Sequence, residues 1–247
     1  KLAEASERFG KGEDVEDYNP SGALEIRKAG FEFERMRKRI LRHLNQRSEM
    51  LSGISHDLRT PLTRIKLQLE FIKDKNISKK LADDVDEMEK MLNEYLQFAS
   101  STAQEKSENF DLSSLILSTI KKYENKNITT NITAEIFFVG RKILIQRCIN
   151  NLISNSIKYA NKIEIKVEKL KKNILIFIDD DGPGIPNSEY DNVFKPFYKI
   201  DKARGETKSS VGLGLSISSD IVKSHGGKIE LAKSKLGGLS AKISLPF

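Results

Sequence analysis

One short segment combines a histidine, a carboxylate and a hydroxyl at helical spacing. His56 is followed directly by Asp57, and Thr60 lies one helical turn later. At roughly 100° per residue, His56 and Thr60 fall about 140° and 180° from the apolar stripe of this segment, so both face solvent on one side. An exposed imidazole beside a carboxylate suits a nucleophile better than a metal ligand, because it can lose its proton as it attacks. The alternative is a surface histidine of a charged helix, which is how we interpret His43 and His225.

A second segment joins acidic residues to glycines. The apolar strand predicted over residues 174–178 runs into three consecutive aspartates, the last of them Asp181, and then into Gly182 and Gly184. A strand that ends in this way can present one carboxylate at the floor of a pocket, while the glycines let a ligand approach the backbone. We expect Asp181 to accept a hydrogen bond from an exocyclic amine such as that of adenine. A plain turn is the alternative, because the same residues are typical of turns.

A glycine pair at the start of a helix predicts a phosphate site. Gly212, Leu213 and Gly214 lead into a helix predicted over residues 214–224. Free backbone amides at a helix N-terminus bind phosphate oxygens. The chain has neither a Walker loop nor a Rossmann glycine fingerprint.

The segment before this glycine pair is polar and basic. Residues 198–210 have the composition of a mobile lid, and Lys199 and Arg204 within it are placed to meet triphosphate charge. A solvated loop with no ligand is the alternative.

A pair of asparagines on one helix predicts a cation site. Asn151 and Asn155 are four residues apart in the helix predicted over residues 141–159, so they share a face. Amide oxygens are hard, neutral ligands that suit a Mg²⁺ ion which keeps its waters and its phosphates. Solvated asparagines are the alternative.

Heptad spacing in the first half of the chain predicts the elements that position His56. Apolar residues from Leu51 to Ile72 fall within a stripe about 80° wide, which is the seam of a coiled coil or bundle. The polar segment 73–78 interrupts the stripe, and a second heptad pattern runs from Leu81 to Ala99. Two helices cannot enclose two seams of this length, so we expect a helical hairpin that dimerises into a four-helix bundle.

The pattern changes after Ser107. Alternating or β-rich runs lie between helical ones, which predicts an α/β sandwich. The expected helices are 111–124, 141–159 and 214–224, the first with Asp111 as N-cap. The expected strands are 131–139, 163–167, 174–178, 228–231 and 240–245.

Composition limits the functional classes. The chain has 247 residues, one Cys and a formal net charge of +7. A single Cys excludes a disulfide framework, and the charge is too diffuse to predict nucleic-acid binding. No run of about 18 apolar residues and no signal peptide is present, so we expect a cytoplasmic setting for this part of the protein.

Taken in chain order, these segments resemble the H, N, G1 and G2 boxes of the sensor histidine kinases of two-component systems, with residues 194–197 similar to the F box. The sequence around His56 is close to that of osmosensor kinases. The resemblance implies an α+β architecture, in which the dimeric helical hairpin precedes a Bergerat-type ATP-binding domain. It implies three parts: the end of a HAMP-like relay over 1–45, a dimerisation and histidine phosphotransfer domain over 46–105, and a catalytic ATP-binding domain over 106–247.

The resemblance also implies roles. His56 would take the γ-phosphoryl group of ATP, with Asp57 as its base, and Asn155 would hold Mg²⁺. The remaining roles follow by matched position: Asn151, Lys158 and Tyr159 line the nucleotide, Asp181 reads adenine, Gly182 and Gly184 shape its pocket, and Gly212 and Gly214 hold phosphates. Val211 stands where the family often has a further glycine.

The expected partners are a second copy of the chain and the receiver domain of a response regulator. A regulator docked at His56 would place its phospho-aspartate near Thr60, whose hydroxyl could orient an attacking water. Alternatively, the Thr60 hydroxyl bonds back to the His56 carbonyl. The resemblance places the chain in the cytoplasmic portion of an inner-membrane protein, attached through a sensor region outside this sequence. The competing functions are a catalytically idle nucleotide-binding scaffold and an ATPase of the chaperone or mismatch-repair kind.

Overall fold

The computed structural model describes residues 1–10, 15, 18–100, 105–123, 126–132, 134–200 and 212–247. Residues 201–211 lie outside the described residues; they include Val211 and most of the lid predicted over 198–210, with Arg204. Among the described helices, none is long and apolar enough to cross a bilayer.

The first half is helical. Helix α1 spans Leu2–Gly10, α2 spans Leu24–Leu69 and α3 spans Lys75–Ser100. Helix α2 is a single element of 46 residues that continues through Pro61, so the segment upstream of His56 and the segment that carries His56 form one helix. The predicted hairpin is confirmed.

The hairpin turn is shorter than predicted. Helix α3 already begins at Lys75, because the Asp74 carboxylate accepts hydrogen bonds from the backbone N–H groups of Asn76 and Ile77 at 2.9 and 3.2 Å. An aspartate at this position satisfies amides that have no partner in the first helical turn. The Ser78 hydroxyl donates to the Leu69 carbonyl at 2.7 Å and joins the two helices across the turn.

The interface between α2 and α3 is partly apolar and partly ionic. Leu69 and Val85 are 7% and 6% exposed. Lys66 Nζ lies 2.6 Å from Asp86 and 2.5 Å from Glu89 on the facing helix, and these hydrogen bonds raise the pKa of Lys66. Other apolar residues of the seam are more exposed to solvent.

The second half is a helix layer on a sheet. Helices α4, α5 and α6 span Leu112–Lys121, Lys142–Tyr159 and Gly214–Lys223. The strands are β1 Glu108–Asp111, β2 Asn127–Asn131, β3 Phe137–Gly140, β4 Lys162–Lys169, β5 Asn173–Asp180, β6 Lys228–Lys233 and β7 Leu239–Pro246. Strands β2, β4, β5, β7 and β6 form a five-stranded sheet in that order, in which only the β2–β4 pair is parallel. The α/β sandwich is confirmed.

One core joins these layers. It contains Ile149 and Ile153 of α5, Ile217 of α6, and Ile165 and Ile176 of the sheet. Asp111 caps α4, as predicted, by accepting from the Ser113 N–H at 2.9 Å. Helix α4 is shorter than predicted, because the chain turns after Lys121.

The strand predicted over 131–139 was wrong as a single element. Its two ends belong to different sheets, since β2 joins the large sheet while β3 pairs antiparallel with β1. Local alternation predicts that residues are extended, but the choice of neighbouring strand depends on the tertiary fold.

Candidate nucleotide and phosphoacceptor sites

His56 stands exposed on α2 with Asp57 beside it. The two side chains are 81% and 85% exposed, and His56 Nδ1 lies 3.5 Å from Asp57 Oδ1. A carboxylate at Nδ1 favours the tautomer whose Nε2 carries the lone pair. The separation is long for a hydrogen bond, so the pair has to tighten before it can take part in proton transfer. This geometry suits an imidazole that attacks through Nε2.

Thr60 forms the hydrogen bond within α2 that was the alternative to a role with a docked regulator. Its hydroxyl donates to the His56 carbonyl at 3.3 Å, one turn back along α2. The same turn is tied to α3, because Arg59 donates to the Asn93 side chain at 3.3 Å. Thr60 is exposed, so its hydroxyl can exchange this bond for one to another acceptor.

The face of α5 that carries the asparagines also carries an unsatisfied ammonium group. Asn151, Asn155 and Lys158 are all half-buried. Lys158 Nζ is buried without a hydrogen-bond partner among the described residues, and it lies 5.3 Å from the centre of the Tyr159 ring. A buried ammonium group without such a partner is unfavourable, so this atom favours an anionic ligand.

Strand β5 delivers Asp180, not Asp181, to the interior. Asp180 is 5% exposed. Its Oδ1 accepts from the backbone N–H groups of Gly182 and Leu239 at 3.0 and 2.9 Å, and its Oδ2 accepts from the Ser156 hydroxyl at 3.1 Å. This carboxylate therefore lies between α5 and the glycine turn, where the sequence analysis placed its neighbour.

Asp181 holds the opposite side of the turn. It is exposed, and its Oδ1 accepts from the backbone N–H groups of Asn161 and Lys162 at 2.8 and 2.9 Å. These bonds, that from Lys162 above all, lower the pKa of the Asp181 carboxyl. The role of Asp181 in reading adenine stays a prediction, and the buried Asp180 is the second candidate acceptor for the base, because Asp181 is exposed on the other face of the turn.

The missed residue had a signal in the sequence. Side chains alternate across a strand, and Ile174, Ile176 and Ile178 are buried. Continuing that alternation by one step gives Asp180 as the inward-facing aspartate, whereas Asp179 and Asp181 fall on the other face.

The glycines allow close approach at the pocket. A Cβ on Gly182 would lie 2.9 Å from the Tyr159 carbonyl oxygen and 3.1 Å from Asp180 Oδ1. Gly184 follows in the same turn. The backbone of Gly182 therefore packs directly against Tyr159, which ends α5, and the contact of Tyr159 with the nucleotide stays a prediction.

The phosphate loop, residues 212–214, meets α5. Gly212 has φ +79° and Gly214 begins α6. Asn151 Nδ2 donates to the Gly214 carbonyl at 3.5 Å, and no side chain of the described residues caps the N-terminus of helix α6. Its first amides are therefore available to an anion.

Leu213 and Lys199 were also predicted to contact the ligand. Leu213 is 1% exposed, so its side chain belongs to the core and only its backbone can face a ligand. Lys199 is half-buried at the end of the preceding described segment. Its distance from the loop's phosphate-binding amides stays a prediction, as does the role of Arg204.

His225 is not a solvated surface histidine. Its Nε2 accepts from the Arg141 N–H at 3.0 Å, and its Nδ1 lies 2.7 Å from the Ile221 carbonyl. The imidazole is therefore neutral with its proton on Nδ1, and burial above all lowers its pKa. The Ile221 carbonyl lies four residues back, but Arg141 comes from a distant segment of the chain, so sequence spacing gives no signal for that partner.

Two families match this architecture. The His Kinase A phospho-acceptor domain matches residues 46–104. The histidine kinase-, DNA gyrase B-, and HSP90-like ATPase family matches residues 140–247. The first match contains His56, and the second contains the Asn151, Asp180 and Gly212 regions.

Several characterised proteins are similar over most of the chain. Sensor histidine kinase GtrS of Pseudomonas aeruginosa is 32% identical, with 100% of this chain and 52% of the relative covered. Sensor histidine kinase CpxA of Escherichia coli is 29% identical, with 92% of this chain and 53% of the relative covered. The chain thus spans about half the length of these relatives.

Solved structures share the fold. Full-length ShkA in complex with AMPPNP superposes with a TM-score of 0.64 at 19% identity, covering 81% of this chain and 46% of that one. Acinetobacter baumannii histidine kinase AdeS gives a TM-score of 0.54 at 22% identity, covering 77% and 97%. With both domain families matched in the expected order, the chain belongs to the sensor histidine kinases of two-component signalling.

Proposed function

We propose that this chain phosphorylates itself on His56 with Mg²⁺-bound ATP and passes the phosphoryl group to an aspartate of a response regulator. The observation that carries the proposal is a pairing of two features in one chain. An exposed imidazole stands beside a carboxylate, and helix α5 of the second half carries a buried ammonium group, Lys158 Nζ, that has no hydrogen-bond partner among the described residues.

The pocket residues fit ATP and Mg²⁺. Asp180 supplies a buried acceptor for an exocyclic amine, Lys158 a cation, and the phosphate loop free backbone amides. The amide oxygen of Asn155 is the proposed protein ligand of Mg²⁺. The ion neutralises triphosphate charge when it is bound.

The chemical step follows from the imidazole. Nε2 of His56 forms a bond to the γ-phosphorus while the bond from that phosphorus to the bridging oxygen of ADP breaks. The Nδ1 proton of His56 moves to Asp57, which holds the ring in the reactive tautomer until then. Little else is needed, because phosphoryl transfer depends chiefly on positioning and charge neutralisation.

The chain is proposed to act as a homodimer. Seam residues that the hairpin leaves partly open support this: Ile54, Leu58 and Ile65 of α2 are 39%, 45% and 40% exposed, and Leu81 and Met88 of α3 are 41% and 56% exposed. A stripe of this length favours burial against a second hairpin. Sedimentation equilibrium measures the dimer directly, and a monomer at micromolar concentration would contradict it.

Removal of phosphate from the regulator is a second proposed activity. Thr60 supports it because its hydroxyl is exposed one turn from His56. Its present bond to the His56 carbonyl is weak in geometry at 3.3 Å, so the hydroxyl can turn towards a docked partner. The upstream sensing region and the membrane attachment remain predictions from the resemblance.

One labelling experiment separates this function from its alternatives. The chain is incubated with γ-labelled ATP and Mg²⁺, and the labelled protein is then treated with acid or with alkali. A histidine kinase gives protein-bound label that acid removes and alkali leaves. An idle scaffold gives no label, and an ATPase of the chaperone kind releases phosphate without labelling the protein; either result would contradict the proposal.

A further inference from the structure

A hydrogen-bonded phenol and carboxylate lie close to the phosphate loop. Tyr198 Oη donates to Glu189 Oε2 at 2.5 Å, and Asn192 Nδ2 donates to the same oxygen at 3.2 Å. Lys195 Nζ donates in turn to Asn192 Oδ1 at 2.7 Å. Glu189 and Tyr198 are both half-buried. Hydrogen bonds to an ionised acceptor are stronger than neutral ones, so this contact holds the Tyr198 side chain firmly.

The backbone beside this tyrosine packs directly on Gly212. Phe197 N–H donates to the Gly212 carbonyl at 3.0 Å. A Cβ on Gly212 would lie 2.9 Å from the Tyr198 carbonyl oxygen. Phe197 has φ +64°, a conformation that costs free energy for a residue with a side chain and persists only where its surroundings enforce it. The neighbouring Tyr198 hydrogen bond is one such restraint.

The restraint continues from Gly212 into α6. Leu213 is buried in the core and Gly214 opens the helix, where its carbonyl accepts from Asn151. A shift of Tyr198 therefore moves Gly212, the first residue of the phosphate loop, while the buried side chain of Leu213 keeps the next residue in place. The part of the site proposed to bind adenine is held by other contacts. Asp180 accepts hydrogen bonds from Ser156 of α5, from Gly182 and from Leu239 at the start of β7.

We propose that Tyr198 and Glu189 are positioning residues for the phosphate loop. They act through Gly212, touch no part of the nucleotide, and set where the loop's amides meet the phosphates. The inference rests on the proposed function, since it requires that the pocket binds ATP. The contribution of the phosphates to ATP affinity then depends on the Tyr198–Glu189 contact, which lies outside the nucleotide site.

The test compares two ligands in the full chain. Tyr198→Phe keeps the ring and removes the hydroxyl, and binding of Mg²⁺-ATP and of adenosine is measured by competition against a fluorescent nucleotide. We expect ATP affinity to fall about fivefold and adenosine affinity to stay within about twofold, because only the phosphates contact the loop. Tyr190→Phe removes a hydroxyl from the same segment and serves as the matched control, with both affinities unchanged.

A second variant covers the case in which Tyr198→Phe folds poorly. Glu189→Gln keeps an oxygen acceptor for the Tyr198 hydroxyl but removes the charge, so the same split is expected with a smaller loss of ATP affinity, about twofold to threefold. Because both variants act through one contact, Tyr198→Phe combined with Glu189→Gln is expected to equal Tyr198→Phe alone.

Each result decides the inference. Equal weakening of ATP and adenosine shows a general structural role and overturns it, as does unchanged ATP affinity in Tyr198→Phe. Failure of the proposed function gives a different result: the wild-type chain itself would then bind no ATP, or would bind ATP without becoming labelled on His56.

Discussion

Asp180→Asn is the substitution that most sharply separates the two candidate acceptors for the nucleotide base. It changes one buried oxygen into an amino group and keeps the shape of the side chain. Asp181→Asn makes the same change at the next position, on an exposed carboxylate that already accepts two backbone N–H groups. The pair of variants therefore differs in location and not in chemistry.

The hydrogen bonds of Asp180 set the expected magnitude. The Asn oxygen can retain the N–H groups of Gly182 and Leu239, and its amino group can donate to the Ser156 hydroxyl. The fold therefore loses about 1 kcal/mol, the order of one altered hydrogen bond. An exocyclic amine of the ligand, in contrast, meets a donor in place of an acceptor. The cost is about 1.4–2.8 kcal/mol, which corresponds to about 10- to 100-fold in affinity.

Calorimetric titration with Mg²⁺-ATP measures this effect, and circular dichroism confirms that each variant is folded. Asp180→Asn is expected to bind about 10- to 100-fold more weakly, and Asp181→Asn within about twofold of wild type. Weaker binding in Asp181→Asn than in Asp180→Asn would refute the assignment of the base acceptor to the inward-facing residue of β5.

Three further predictions concern other parts of the chain. His225 has a folded pKa below its unfolded value, so its stabilising contribution of about 1 kcal/mol is present above about pH 6.5 and is lost as the pH falls through the folded pKa. We therefore expect the melting temperature to drop more between about pH 7 and 5 in wild type than in His225→Gln. Parallel curves of melting temperature against pH would contradict this. Lys158→Met removes a buried ammonium group that lacks a hydrogen-bond partner among the described residues, so we expect an equal or higher melting temperature with ATP affinity reduced about tenfold; a lower melting temperature with normal ATP affinity would show that the ammonium group stabilises the fold instead. Thr60→Ala should leave labelling of His56 intact and lengthen the lifetime of a phosphorylated regulator mixed with the chain and ADP, whereas equal lifetimes would leave Thr60 only its bond to the His56 carbonyl.

Periodic features of the fold could be predicted from the sequence. The heptad seam on both sides of residues 73–78 predicted the hairpin, and Asp111 predicted the start of α4. The exposed position of His56 followed from its angle to that seam. In each case the signal is local, because a helix repeats its environment every three to four residues.

Features that depend on distant contacts were missed or misassigned. Strand β2 was missed except for its last residue, Asn131, which was joined to β3, because local alternation does not show which sheet a residue joins. His225 was placed in solvent, although its Nε2 accepts from Arg141 in another element. Asp181 was predicted in place of Asp180 for a different reason. The prediction used the neighbouring glycines and did not extend the alternation of the strand by one residue, which identifies Asp180 as the buried carboxylate.

The central claim is that His56 receives the phosphoryl group while a separate pocket binds ATP. Its most direct measurement is labelling by γ-labelled ATP in His56→Gln, with ATP affinity measured on the same sample and His43→Gln, on the same helix, as control. We expect no label in His56→Gln, unchanged ATP affinity, and normal labelling in His43→Gln. Acid-labile label that persists in His56→Gln would contradict it.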